Sequence, residues 1–145
     1  MSMGTSELPT GYGAARTGGV LDANSVLRTM GAALINDRRR GRRTGLVTVQ
    51  ILAEPLEDLV RELALRLDSD ARDADAVGRV APDRLALVVP GLKEVDALAA
   101  IVVRVRNTLS RPVIVLGTEH ECPIEVNGVL ADARSTPEGL LHTVV

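Results

Sequence analysis

The sequence predicts an α+β domain, with a mostly antiparallel sheet of about five strands flanked by helices. Three observations carry this. Apolar residues at helical spacing alternate along the chain with short β-branched runs. Two such runs flank Ala81-Pro82-Asp83-Arg84, a turn signal that makes them a hairpin. The element order is α-β-α-β-β-α-β-β-α, and 145 residues, 46% of them hydrophobic, suffice for one core.

Residues 1–19 are rich in Gly, Ser and Thr and lack apolar periodicity, so they are expected to form a flexible arm before a folded domain over 20–145. Asp22 or Asn24 caps the first helix, in which Val26, Leu27, Met30, Ala33, Leu34 and Ile35 recur at helical spacing. The helix runs out in Arg38-Arg39-Arg40-Gly41-Arg42-Arg43, where cations suit the macrodipole and Gly41 is a stop. Leu46–Leu52 is β-branched and nearly all apolar, the pattern of a central strand covered on both faces. A second helix begins at about Pro55 and carries a stripe of Leu56, Leu59, Val60, Leu63 and Leu67.

A charged connection, Asp68–Asp75, leads to the hairpin strands Ala76–Val80 and Leu85–Val89. A third helix over Lys93–Leu109 is expected to bury Val95, Leu98, Ala99, Val102 and Val105. Strands follow at Pro112–Leu116 and Cys122–Leu130, and a last helix starts near Thr136-Pro137-Glu138.

Composition excludes several functions. Tyr12 is the only aromatic residue and the net charge is −2, which argues against base stacking and a broad phosphate-binding surface, hence against a nucleic-acid partner. Cys122 stands alone, so no intrachain disulfide or thiolate metal cluster forms. No apolar run approaches the ~20 residues that span a bilayer, and the start lacks a signal-peptide pattern. The expected location is the cytoplasm.

Several stretches, in order, resemble the GGDEF family, whose domains make cyclic di-GMP from GTP. Thr17-Gly18, Asp22 and the Arg-rich helix end are similar to its entry segment. Asp75-Ala76-Val77-Gly78-Arg79-Val80 and Leu85-Ala86-Leu87-Val88-Val89-Pro90 are similar to the strands around its signature turn. Val126-Asn127-Gly128-Val129 and Glu138-Gly139-Leu140-Leu141 resemble its final strand and helix. The resemblance runs from about Thr17 to Leu141 and implies a nucleotidyl-cyclase palm-like fold.

The departures from that pattern bear on activity. The signature positions read Ala81-Pro82-Asp83-Arg84-Leu85. The family's glycines let backbone approach the substrate, whereas Pro82 blocks that approach and removes a donor. Arg84 replaces a carboxylate, and neutral Gln50 stands where the first strand would help hold metals. Phosphoryl transfer with Mg²⁺ needs several ionised oxygens. The family also has a longer segment after this strand, carrying a guanine-reading Asn, where this chain has only Ala53-Glu54-Pro55-Leu56. Glu57 stands near a second guanine-reading position without its partner. The expectation is a degenerate domain that is not an enzyme, with no catalytic residues, no metal site and no cofactor.

One motif of the family is retained. Arg72-Asp73-Ala74-Asp75 matches the inhibitory-site Arg-x-x-Asp, with residues 76–80 before the signature. Arg can clamp phosphate or guanine with paired donors, and a carboxylate can accept from guanine N1 and N2. The resemblance therefore implies cyclic di-GMP as a ligand of Arg72 and Asp75, helped by Arg104 from the long helix. The alternative is a charged loop whose spacing is fortuitous. Arg38–Arg43 has two readings as well: a solvated helix end, or a surface for an acidic partner, a phosphate or anionic lipid. Glu54 with Asp83 has two readings, a divalent-ion pair or a helix start and a turn stabilised separately; His120 and His142 are isolated. Function is thus expected to be regulatory. The domain binds a protein partner or itself, sensing cyclic di-GMP in one version and independent of nucleotide in the other.

Overall fold

The computed structural model describes residues 19–54 and 56–143. The expected arm therefore lies outside the described residues except for Gly19, as does Pro55. Helix α1 spans Ala23–Arg40. Asp22, rather than Asn24, caps it: the Ser25 N–H donates to Asp22 Oδ1 at 2.8 Å. It ends as expected at Gly41, whose left-handed φ of 67° a residue without Cβ adopts freely.

Strand β1 (Arg43–Ile51), helix α2 (Glu57–Asp70), and strands β2 (Ala76–Ala81) and β3 (Arg84–Leu92) follow. Then come α3 (Val95–Leu109), the short strands β4 (Val113–Val115) and β5 (Thr118–His120), β6 (Ile124–Leu130) and α4 (Pro137–Thr143). The main sheet has the order β2-β3-β1-β6 with every pair antiparallel, and β4 and β5 form a separate hairpin. The expected sheet of about five strands thus resolves into four strands plus a two-stranded ribbon.

β1 is central and buried on both faces, which is why its sequence shows no polar alternation. Val47, Val49 and Ile51 enter the core shared with α2 and α3, while Leu46 enters the core shared with α1 and α4. A Cβ at Gly78 of β2 would collide with Val26 of α1, so glycine there sets how closely α1 lies on the sheet. The same contact shields the sheet edge. The Leu21 N–H donates to Val77 O and Leu21 O accepts from the Arg79 N–H, both at 2.9 Å, so the lead-in to α1 covers the outer side of β2.

Some expected core positions point outward. In α3, Leu98, Ile101, Val105 and Leu109 are buried, while Val95 and Ala99 are exposed. Ile35 of α1 and Leu56, the residue before α2, are also exposed. The anticipated strand Cys122–Leu130 begins only at Ile124, and β5 precedes it in a stretch read as a loop. Cys122 packs against the core from outside a strand, and desolvation raises its thiol pKa.

Candidate functional site

The β2–β3 hairpin turns through Pro82 and Asp83, at the sheet end where β1 finishes. Asp83 keeps a negative φ, so the turn does without the left-handed residue that a glycine pair would supply. Its carbonyl is drawn onto β1 instead. It accepts from the Ile51 N–H at 2.8 Å and from Gln50 Nε2 at 3.2 Å. Gln50 Oε1 in turn accepts from Arg84 Nε at 3.0 Å. Gln50 and Arg84 thereby pair with each other across the adjacent strands.

Beside them, Arg79 donates to both Glu57 carboxylate oxygens, at 3.0 and 2.8 Å, and to Pro82 O at 2.7 Å. The charge of Glu57 is matched by this arginine, which sequence reading left unassigned. Among the described residues no three His, Cys, Asp or Glu side chains gather closely enough to hold a metal ion.

At the opposite end of the sheet, the structure brings Arg72 and Asp75 together. Asp75 has no side-chain exposure. It accepts from the Arg72 backbone N–H at 2.9 Å and from Arg72 Nε and NH2 at 3.0 and 2.8 Å. Arg72 also donates to Pro90 O at 2.9 Å, fastening the α2–β2 connection to the end of β3. Its side chain is 44% exposed. Arg104, the third expected ligand residue, donates to Asp70 at 3.2 Å. The Arg-x-x-Asp spacing thus builds a closed local bridge in which the carboxylate is covered by its own arginine.

The arginine run is not simply solvated. Arg38 donates to Asp132 O and Ser135 O, and Arg43 donates to Ala131 O at 2.9 Å, tying α1 and β1 to the segment before α4. Arg39 and Arg40 lie exposed at the helix end. Beneath them, Asp37 is buried and accepts from Thr44 Oγ1 at 2.6 Å and from the Gly91 N–H.

A feature with little sequence signal is the tip of the β4–β5 hairpin. Leu116 and Gly117 both have positive φ, 51° and 80°, as a tight two-residue turn requires. Leucine in that region costs on the order of 1 kcal/mol, and Leu116 is also 93% exposed. With Leu56, Val115, Glu57 and Asp58 it lines a shallow groove of about 390 Å³. Only Gly117 could have hinted at this turn; nothing in the sequence marks the leucine.

No protein-family model matches the chain, and no curated protein matches it. Solved structures do. A sensory box/GGDEF family protein from Caulobacter crescentus is 22% identical, with a TM-score of 0.77 over 87% of this chain and 88% of that one. The diguanylate cyclase SiaD from Pseudomonas aeruginosa, solved in complex with its activator SiaC, is 15% identical, with a TM-score of 0.73 over 85% of this chain and 51% of that one. The GGDEF domain of DgcB from Caulobacter crescentus, solved in complex with c-di-GMP, is 9% identical, with a TM-score of 0.69 over 99% of this chain and 89% of that one. Among the described residues no helix is long and apolar enough to cross a membrane. At these identities the likeness establishes the architecture: the chain has the fold of a GGDEF domain.

Proposed function

We propose that this chain is a non-catalytic signalling domain that regulates by docking. One observation carries the reading. The side chains at positions that the resemblance assigns to metal and substrate are taken up by protein partners: Gln50 by Arg84 and the Asp83 carbonyl, and Glu57 by Arg79. A guanidinium and an amide at these places supply no ionised oxygens for Mg²⁺, and their hydrogen bonds draw the turn onto β1 where a phosphate would approach. The test is incubation of the purified protein with GTP and Mg²⁺ and chromatography of the products. No cyclic dinucleotide is expected, and its formation overturns the proposal.

Nucleotide sensing is a second reading, favoured by the half-exposed side chain of Arg72 beside Asp75 and by the c-di-GMP complex of the DgcB domain. Because Asp75 is fully covered, such a ligand must first displace Arg72 from it, which lowers affinity by the cost of that opening. Calorimetry with cyclic di-GMP on the intact chain and on Arg72→Ala separates the two. Heat that vanishes in the variant supports sensing; no heat in either leaves docking alone.

A further inference from the structure

We propose that the two ends of the sheet are complementary docking surfaces, and that the occupant of each is the opposite end of a second copy of this chain. This names a partner for the docking domain proposed above and rests on that reading.

At the end where β1 finishes, exposed apolar side chains stand among carboxylates. Leu116 is 93% exposed, Leu52 57% and Leu56 49%. Glu57 and Asp58, paired with Arg79 and Arg61, line the groove beside Leu116, and Glu119 and Glu121, exposed on or just after β5, leave this rim net negative. Scattered exposed leucines are ordinary, but a leucine at a turn position that favours Asn or Gly, and almost wholly in water, has no role in holding this hairpin together. The end where β1 begins has the reverse character. Ile35 is 56% exposed on α1, and Arg38 and Arg39 follow it by three and four residues, on the same helical face. Arg42 lies just beyond, immediately before β1.

One surface thus presents an apolar anchor ringed by negative charge, the other an apolar anchor ringed by positive charge. They cannot meet within one molecule: from Arg43 to Ile51 the strand spans about 26 Å at ~3.3 Å per residue. Between copies they match in both charge and apolarity. A contact that joins unlike surfaces is heterologous, so it propagates head to tail instead of closing a two-fold dimer. Small anchors and exposed charges make it weak and sensitive to salt.

The test is sedimentation equilibrium of the intact chain over a concentration series, with two variants. Leu116→Asn removes one anchor and suits the left-handed turn. Arg39→Glu with Arg42→Glu reverses the other surface at side chains that hold no other element in place. The expected wild-type mass climbs past the dimer with concentration at low salt and falls back in ~1 M salt, where the Debye length is about 3 Å. Each variant alone stays monomeric where the wild type associates. Mixed in equal amounts they form dimers and stop there, because each retains one intact surface and the two damaged ones do not pair. A wild type monomeric at all concentrations, association that ignores the variants, or a mixture that stays monomeric overturns the proposal. A monomeric wild type leaves the non-catalytic reading standing, whereas GTP turnover overturns that reading and leaves the pairing intact.

Discussion

The two ends of the sheet handle polar groups in opposite ways. Where β1 begins, carboxylates are buried and fully used: Asp37 ties α1 to β1 and to the end of β3, and Asp75 closes the α2–β2 connection onto its own Arg72. Where β1 ends, the corresponding polar groups lie in partly exposed pairs, Arg79 with Glu57 and Arg84 with Gln50, and leucines stand in water. An unsatisfied buried group costs far more than an exposed one. The first end is therefore organised for stability, and the second leaves more apolar surface in water.

The contrast is broken first at its most buried point. Asp37→Ala strands the Thr44 hydroxyl and the Gly91 N–H and is expected to cost about 3 kcal/mol, read as a shift of the urea midpoint at constant m-value. Arg72→Ala is expected to cost about 2 kcal/mol and Asp75→Ala less, since loss of the arginine takes the counter-charge from a fully covered carboxylate while loss of the carboxylate leaves an arginine half in water. Equal losses from the two would show that the coverage of Asp75 does not matter. At the other end the sign reverses. Leu116→Asn is expected to stabilise by about 0.5 kcal/mol through relief of the left-handed leucine, seen as a small rise in Tm. A loss of stability there would mean the leucine packs in the isolated domain after all.

The smallest effect concerns pH. Hydrogen bonds from the Ser25 backbone and hydroxyl hold Asp22 below the usual carboxylate range, and the Arg134 backbone N–H with the Ser135 hydroxyl does the same for Asp132. Both pKa values are depressed in the folded state, so their contribution is present above the ordinary carboxylate value and is lost as pH falls through the lowered one. Both groups are fully exposed, so the loss is slight. Asp22→Asn is expected to flatten the acid limb of a Tm-against-pH series without moving its neutral plateau.

Much of the fold was legible because its signals are local. Asp22 and Gly41 bound α1 through cap chemistry, Pro82 and Asp83 mark the hairpin turn, and the uninterrupted apolar run of β1 announces burial on both faces. The phase of α3 was not legible. Val95-Asp96-Ala97-Leu98-Ala99-Ala100-Ile101-Val102-Val103 is apolar almost all round, so periodicity permits several faces and packing selects Leu98, Ile101 and Val105. β5, as Thr118-Glu119-His120, has too few apolar residues to read as a strand and exists by pairing with β4. The pairing of Arg72 with Asp75 follows from their spacing, but the bond that fastens Arg72 to the Pro90 carbonyl on β3 joins residues 18 positions apart.

Sequence alone determined the order of elements apart from β5, both caps of α1 and the β2–β3 hairpin, because each is set by neighbours a few positions apart. Tertiary structure decided which charges are free, which apolar side chains remain in water, and which ends of the sheet carry them. Burial and pairing are properties of strands and helices brought together from distant parts of the chain, and no local pattern encodes what a side chain will meet there.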